Sequence, residues 1–246
     1  MSELIDIEAA REFMRETLEK VDKDELVNIA GELQQKSHFL KKYLDESYLL
    51  GASQLEIENV FKTIFSTRRR VIDLMKTHDL DSLKQQIFTL LYGDNAIGAR
   101  FQGFYDFIAV DLHSSIKSDM TGELLHFNAP EKYWMWSRWM WDPKNKTGAL
   151  PLVASEGFDL SGQSVGETYV KVGKGVAFVH SVAEAAEFQF ISRSLFGTDV
   201  FLSCVYVVYA YTVLRMRMTQ EFNKVMPGLG EFSRRLLGVH RNRAAA

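Results

Sequence analysis

The chain has 246 residues, of which 46% are hydrophobic and 25% charged, and its formal net charge is −3. This composition is typical of a globular protein with a sizeable core and argues against intrinsic disorder. Because the net charge is small, binding to nucleic acid or to an anionic membrane would require a local patch. The single cysteine, Cys204, excludes an internal disulfide and fits a reducing, cytoplasmic environment.

The first part of the chain predicts a series of helices, because apolar residues recur there with a period near 3.6. Ser53 and Glu56 form a capping box at the start of the third helix, and Gly93 follows the fourth. The predicted helices cover residues 7–21, 24–45, 53–75, 80–92 and 96–110.

The middle of the chain predicts a short helix over 121–127 and a second helix over 129–141. Asn128 is a typical N-cap residue with proline in the turn that follows, and Pro143 ends the second helix. Residues 142–163 are the only long loop-like stretch. We interpret them as the cover of a binding site or as a connector between subdomains.

A second capping box predicts a helix over 164–190, although its two glycines leave a β-hairpin over 169–180 as an alternative. The apolar run 198–218 predicts a buried helix in which Cys204 is a small hydrophobic residue. Its charge-free part has 15 residues, fewer than the roughly 20 that span a bilayer, so we expect no membrane partner. Short closing helices are predicted over 219–226 and 231–237.

These elements predict an all-α fold, a bundle of roughly nine or ten helices. We expect a single domain over 1–243, with two subdomains divided at 142–163 as an alternative. Residues 244–246 resemble a vector-derived linker and are excluded from the fold.

The chain lacks the common nucleotide-binding, hydrolase and metalloprotease motifs, so we expect no cofactor and no catalytic residue is assigned. Glu123 and His126 form an E-x-x-H pair, and His180, Glu184 and Glu187 share one helical face. Together they could hold a metal. A di-iron bundle needs a second E-x-x-H pair, which the chain lacks, so no metal ligand is assigned.

Two groups of arginines stand out in the sequence. The triplet 68–70 is predicted to lie inside a helix, with one arginine facing solvent and another meeting an acid. The end of the chain carries a basic tail that can lie along phosphates, although it is also typical of a solvated terminus. The candidate nucleic-acid contacts in this tail are Arg234, Arg235, Arg241 and Arg243.

All four tryptophans of the chain fall in YWMWSRWMW, residues 133–141. On a helix this segment is apolar on nearly every side, which predicts burial in a core. A ligand pocket, a platform for base stacking and the interface of a homo-oligomer are alternatives. Arg138 is then a buried charge that needs an acid or an anion beside it. The candidate ligand-binding residues are Arg138, Trp134, Trp136 and Trp141.

The run GELLHFNAPEKYWMWSRW, which follows LLYGDNAIGARFQGFYDFI, resembles a helical module of prokaryotic uncharacterised and defence-associated proteins. The resemblance covers about residues 90–141 and implies a helical, intracellular, prokaryotic protein. Some such modules are similar to helix-hairpin-helix DNA-binding folds. AVDLHSSIKS lacks the glycine that such a hairpin needs, so no DNA-binding or catalytic residue is carried over.

We therefore expect a non-enzymatic binding or accessory protein that acts through a protein or nucleic-acid surface. A protein partner or a homo-oligomer is expected. The alternative is a helical, metal-dependent enzyme with a pocket near Glu123, His126, Arg138 and the loop 142–163.

Overall fold

The computed structural model describes residues 6–108, 113–155, 157–185, 189–217 and 227–240, and every regular element in these ranges is a helix. The predicted all-α fold is confirmed. Two of the α-helices, α8 and α10, have only four residues each. The elements are α1 (Ile7–Leu18), α2 (Lys23–Leu44), a 3-10 helix (Leu49–Gly51), α3 (Gln54–Thr63), α4 (Val71–Thr77), α5 (Leu80–Tyr92), α6 (Ile97–Phe107), α7 (Ser114–Asn128), α8 (Leu150–Val153), α9 (Val165–Ala185), α10 (Gln189–Ser192), α11 (Gly197–Arg217) and α12 (Leu229–Leu237).

The chain forms two compact units. Unit 1 contains residues 1–34, 139–158 and 175–246, and unit 2 contains residues 35–138 and 159–174. In unit 1, α11 packs against α1, α10 and α12. In unit 2, α5 packs against α6 and α7, and α3 packs against α4. Helices α2 and α9 each contribute residues to both units. In the described ranges, no helix combines the length and the apolar character needed to cross a membrane.

The predicted helix over 53–75 is wrong as a single element. The capping box is present, since Ser53 and Glu56 each accept a backbone N–H from the other residue. Helix α3 nevertheless ends at Thr63, and α4 begins only at Val71. The side chain of Thr67 causes the break: its buried hydroxyl donates to the carbonyl of Phe61 at 2.7 Å, in place of the next helical turn.

Helix α7 is longer than the predicted 121–127. It begins at Ser114 because the imidazole Nδ1 of His113 accepts the backbone N–H of Ser115 at 3.3 Å and so caps the helix. The helix ends at Asn128, immediately before Ala129 and Pro130. Asn128 therefore closes a helix and does not open one.

The predicted helix over 129–141 is wrong, because these residues form turns and irregular backbone. Side chains satisfy its polar backbone groups. His126 Nδ1 donates to the Tyr133 carbonyl at 2.7 Å, and Tyr169 donates to the Trp134 carbonyl at 3.1 Å. The Trp136 backbone packs so closely on α7 that a Cβ at Gly122 would overlap its carbonyl oxygen. These tertiary contacts replace the hydrogen bonds of a helix.

The alternative β-hairpin over 169–180 is also wrong, because α9 is helical through both of its central glycines. Half of its predicted capping box is present: Ser164 Oγ accepts the Glu167 N–H at 3.1 Å, whereas the Glu167 carboxylate accepts the N–H of Gln163 and not that of Ser164. Near its start, α9 meets α6 backbone to backbone, and a Cβ at Gly166 would overlap the carbonyl oxygen of Gly98. Glycine is required at this crossing.

The 142–163 stretch is partly ordered by local contacts. Asp142 Oδ1 accepts the backbone N–H groups of Lys144 and Asn145 at 3.0 and 3.2 Å. A tight turn follows, and Gly148 has a φ of 141°, which strongly favours glycine. The short helix α8 occupies the middle of the stretch.

At the other end of the chain, Gly238 adopts a left-handed conformation and stops α12, as predicted. The predicted helix over 219–226 lies outside the described residues.

Candidate functional site

The tryptophans of unit 2 belong to a core. Trp136 is buried and stacks on Phe101 with ring centroids 5.6 Å apart, and Phe101 stacks in turn on Tyr169 at 4.4 Å. Trp134 is half-buried. The row of rings lies between α6, α9 and residues 133–137. The Trp136 indole is therefore not accessible to a ligand from solvent.

The tryptophans of unit 1 are similar. Trp141 is buried, and Trp139 is half-buried with its ring 6.2 Å from that of Tyr206. The prediction of burial therefore holds for Trp136 and Trp141, although the segment is not a helix.

Arg138 does not have the environment that the sequence predicts. The expectation of a buried guanidinium is wrong, because this residue is exposed. Its main contact to α7 is made by the backbone, whose N–H donates to Asp119 Oδ1 at 2.7 Å. Arg138 lies in a turn, and because its side chain is exposed it needs no internal counter-ion.

Glu123 and Lys36 form a buried ion pair in unit 2. The Lys36 ammonium lies 2.6 Å from the Glu123 carboxylate, and the two side chains are only 2% and 6% exposed. The ammonium also lies over the ring of Phe127, 4.2 Å from its centroid. Burial raises the pKa of Glu123, although Lys36 and, more weakly, His126 favour its ionised form.

The E-x-x-H pair is committed to the core of unit 2. His126 is fully buried with Nδ1 on a backbone carbonyl, and the Glu123 carboxylate is taken by Lys36. His180 belongs to unit 1, where its Nδ1 lies 2.9 Å from Thr198 Oγ1. The side chain of Glu184 and the whole of Glu187 lie outside the described residues. Within the described ranges, no three His, Cys, Asp or Glu side chains are grouped closely enough to hold a metal.

Arg234 is a structural residue and not a solvent-facing cation. Its side chain is 5% exposed, and its Nε lies 2.9 and 3.0 Å from the two carboxylate oxygens of Glu32. Its Nη1 donates to Glu25 at 2.7 Å, so the guanidinium ties α12 to α2 within unit 1. The expectation that Arg234 contacts phosphate is therefore corrected, because its guanidinium is bound by Glu25 and Glu32.

The rest of the predicted basic tail is only partly described. Arg235 is half-exposed and pairs with Glu231, four residues before it on α12. Arg241 and Arg243 lie outside the described residues. The tail therefore contributes no described cation that is both exposed and without an acidic partner.

Cys204 is confirmed as a buried residue. Burial raises the pKa of its thiol to about 11, so the thiol is protonated and unreactive at neutral pH.

Three exposed cations of unit 2, Arg69, Arg70 and Lys76, lie within residues 65–76, which we call the basic turn. This segment contains the turn between α3 and α4, with the arginine triplet 68–70, and most of α4. Its buried residues are Thr67, Val71 and Leu74, which hold the backbone against the unit. The residues exposed to solvent are Phe65, Arg69, Arg70, Ile72, Asp73 and Lys76.

An aromatic ring and a guanidinium stack at the start of the basic turn. The Arg68 guanidinium carbon lies 4.7 Å from the centroid of the Phe65 ring, which remains 39% exposed. Ile72 is 69% exposed, and Lys76 shares its face of α4 because the two are four residues apart. Planar, apolar and cationic groups therefore occur together on this surface.

The local helix does not explain the three arginines. They precede the N-terminus of α4, where the helix dipole disfavours cations. Arg70 reaches Asp73 at 3.5 Å in an exposed pair, and such pairs contribute little stability. Arg69 makes no ion pair or hydrogen bond with any residue that the structure describes. The prediction that one arginine faces solvent and another meets an acid is confirmed, although the triplet lies in a turn.

The apolar part of this surface escapes sequence reasoning for a specific reason. A continuous helix over 53–75 would place Phe65 and Ile72 on the same face as buried residues such as Val60 and Phe61. The break at 64–70 changes the phase of the pattern, so both side chains face solvent. The available signal was the arginine triplet, which fits poorly inside an amphipathic helix.

A second exposed surface lies within residues 39–55, and we call it the aromatic ridge. Phe39, Tyr43 and Tyr48 follow one another, with ring centroids 5.0 and 6.4 Å apart. Exposed Leu50 and Leu55 continue the surface. The charges around it are of both signs: Lys42, Asp45, Glu46 and Glu56. This surface resembles a protein-binding surface more than a phosphate-binding one.

No protein-family model, no curated protein and no solved structure matches this chain.

Proposed function

We propose that the chain is a non-enzymatic binding protein whose ligand is nucleic acid, held at the basic turn. The observation that carries this proposal is the group of exposed cations Arg69, Arg70 and Lys76 beside exposed Phe65 and Ile72. Exposed arginine and lysine neutralise phosphates and release condensed counter-ions, which supplies most of the affinity in sequence-independent binding.

The support beneath these cations favours binding. Thr67, Val71 and Leu74 are buried, so the backbone of the turn is anchored before a ligand arrives. The Arg70 N–H donates to the Thr67 carbonyl at 2.7 Å, which fixes the last part of the turn. A preorganised surface loses less conformational entropy on binding than a mobile one.

The rival, a helical enzyme, receives less support. Its candidate acid and base, Glu123 and His126, are buried and bonded to Lys36 and to a backbone carbonyl. Its candidate cation, Arg138, is exposed. A general acid or base must reach a substrate proton, and a buried ion pair does not offer that access.

The test is fluorescence anisotropy of labelled single-stranded and duplex DNA of mixed sequence, titrated with the full chain at several salt concentrations. We expect measurable binding at about 50 mM salt that weakens steeply as salt increases. The triple variant Arg69→Gln, Arg70→Gln, Lys76→Gln should bind roughly tenfold or more weakly and show a shallower salt dependence.

The matched control is Arg193→Gln, which removes an exposed arginine of unit 1. This variant should bind like the unaltered chain. Absence of binding to either form of DNA at low salt would overturn the proposal. An equal loss per removed charge in the control and in the triple variant would also contradict it, because the affinity would then reflect total charge.

A second candidate function, self-association, is favoured by the aromatic ridge. Tyr48, Leu50 and Leu55 are 43%, 47% and 62% exposed, which is unusual for large apolar side chains so close in sequence. Charges of both signs on one patch suit a two-fold interface, where cations of one copy can pair with acids of the other.

Sedimentation velocity over a range of concentrations tests this candidate. The unaltered chain should form a dimer that Leu55→Ser dissociates. The control, Leu195→Ser, changes an exposed leucine of unit 1 and should leave the dimer intact. A chain that stays monomeric at the highest concentration would exclude self-association through the ridge.

A further inference from the structure

We infer that the basic turn selects single-stranded nucleic acid by stacking an unpaired base on the Phe65–Arg68 pair. This inference rests on the proposed function, since it names the form of nucleic acid that the same surface would take. It goes further because it assigns the binding to a ring and a guanidinium, and not to charge alone.

The geometry of the pair is the first argument. The Arg68 guanidinium carbon lies 4.7 Å from the centroid of the Phe65 ring. Phe65 nevertheless remains 39% exposed. Flat groups of this kind stack on nucleobases, and every base has a face that can be used in this way. In a duplex, neighbouring bases already cover these faces, so only an unpaired base can reach the ring.

The residues around the pair are the second argument. Arg69 and Arg70 follow Arg68 directly, so cations adjoin the stacking pair where the sugar–phosphate backbone of a stacked nucleotide would run. The exposed Ile72 side chain offers an apolar contact to a sugar or to a second base. This combination of aromatic and cationic groups is typical of sequence-tolerant binding to single strands.

The short helix α4 argues against reading of a duplex. It has seven residues, VIDLMKT, of which Lys76 alone belongs to the set Arg, Lys, Asn and Gln that reads purines in pairs of hydrogen bonds. A helix of this length spans only about 10 Å. Helix α4 is therefore poorly suited to act as a recognition helix in the major groove of a duplex.

An anionic membrane is the competing ligand for a surface with arginine, phenylalanine and isoleucine. Membrane insertion requires apolar side chains that protrude freely. Phe65 is held against Arg68, and only Ile72 is mostly exposed. The observations therefore favour the nucleobase.

The experiment compares three fluorescent ligands of equal length, about 12 residues, which is within the usual site size. They are a single-stranded oligothymidylate, a blunt duplex, and an abasic strand that keeps the phosphates but has no bases. We expect the oligothymidylate to bind roughly tenfold more tightly than either of the others, because only it offers unpaired bases.

Variants at Phe65 separate stacking from charge. Phe65→Ala should weaken binding of the oligothymidylate by roughly five- to one-hundred-fold and leave binding of the abasic strand unchanged. Phe65→Trp should retain or increase affinity. The matched control is Phe178→Ala, because Phe178 of unit 1 is also 39% exposed and lies beside an aromatic ring, Phe158, at 6.1 Å.

The outcomes distinguish this inference from the proposed function. Equal affinity for the single strand and the duplex, or an unchanged affinity in Phe65→Ala, would overturn the stacking inference and leave nucleic-acid binding intact. Binding to none of the three ligands at low salt would overturn both. Tighter binding to vesicles containing phosphatidylserine than to the oligothymidylate would replace the nucleobase with a membrane. A circular dichroism spectrum and an unfolding midpoint equal to those of the unaltered chain show that each variant is folded.

Discussion

Two sets of basic side chains in this protein have opposite environments. Lys36 and Arg234 are buried, and each is held by carboxylates at hydrogen-bond distance. Arg69 and Lys76 are exposed, and neither has an ion pair with a described residue. The buried cations find their partners far along the chain, 87 residues away for Lys36 and 202 for the pair of Arg234 with Glu32.

The difference shows why the sequence alone suggests phosphate contact for the C-terminal arginines. A basic run near the end of a chain and a basic run in a turn look alike in sequence. The acids that neutralise Arg234 lie on α2, so only the fold reveals that its charge is used internally. Buried cations should therefore control stability, and exposed cations should control binding.

The largest expected effect is on Lys36. The substitution Lys36→Met leaves the Glu123 carboxylate buried without its cation, and we expect a loss of about 3–5 kcal/mol in the free energy of unfolding. Adding Glu123→Leu should restore most of that loss, because no charge then remains buried. Urea denaturation followed by circular dichroism gives both values. A single variant as stable as the unaltered chain would contradict a buried ion pair.

A smaller loss is expected for Arg234→Met, about 1.5–3 kcal/mol, because it removes charged hydrogen bonds to Glu25 and Glu32. These carboxylates are 36% and 21% exposed, so water can partly replace the guanidinium. The neighbouring control, Arg235→Gln, breaks only an exposed pair and should change stability by less than about 0.5 kcal/mol. Equal effects of the two substitutions would remove the distinction between them.

The Lys36→Met variant also has an expected pH dependence. Burial raises the pKa of Glu123 in the folded state above its value in the unfolded chain. A raised pKa means that the folded state binds the proton more tightly, so stability is lost as pH rises through the folded pKa. Without Lys36 the pKa rises further. The loss of stability caused by Lys36→Met should therefore be smaller at pH 5 than at pH 7.5. Each unit by which the substitution raises the Glu123 pKa within this pH range should add about 1.4 kcal/mol to the difference between the two losses.

The double variant Lys36→Met, Glu123→Leu is the control for this measurement. Its stability relative to the unaltered chain should vary much less over the same pH range, because the titrating carboxyl group is gone. A loss in Lys36→Met that grows as pH falls would contradict the assigned direction.

The smallest effect on stability is expected for Arg69→Gln. Because this side chain has no described partner, the substitution should change the free energy of unfolding by less than about 0.5 kcal/mol. The same variant should weaken binding of single-stranded DNA in the anisotropy assay. A large loss of stability would show that Arg69 is structural, as Arg234 is.

The helical architecture was largely predictable, because it depends on local signals. The capping box at Ser53, the side-chain cap at Ser164 and the stop at Gly238 are all present as expected. Each depends on side chains that contact backbone groups within a few residues. Burial of Trp136 and Trp141 was also predictable from their apolar surroundings.

The remaining features depend on contacts between distant residues. The tryptophan segment is irregular, and Asp119, His126 and Tyr169 supply hydrogen bonds to its backbone; two of these three residues lie on α7. Local propensity favoured a helix there and was overridden. The exposed face of the basic turn depends on one hydroxyl, that of Thr67, which interrupts the helix. The spacing of apolar residues does not reveal where a side chain interrupts a helix.

The tryptophan segment, residues 133–141, also gives each of the two units its own pair of fluorescent side chains. Residues 134 and 136 belong to unit 2, whereas residues 139 and 141 belong to unit 1. Replacing either pair by phenylalanine leaves the emission of one unit alone. Denaturation curves of the two variants then follow the two units separately, and their midpoints coincide only if the units unfold cooperatively. One nine-residue stretch thereby allows the folding of each unit to be observed in the intact chain.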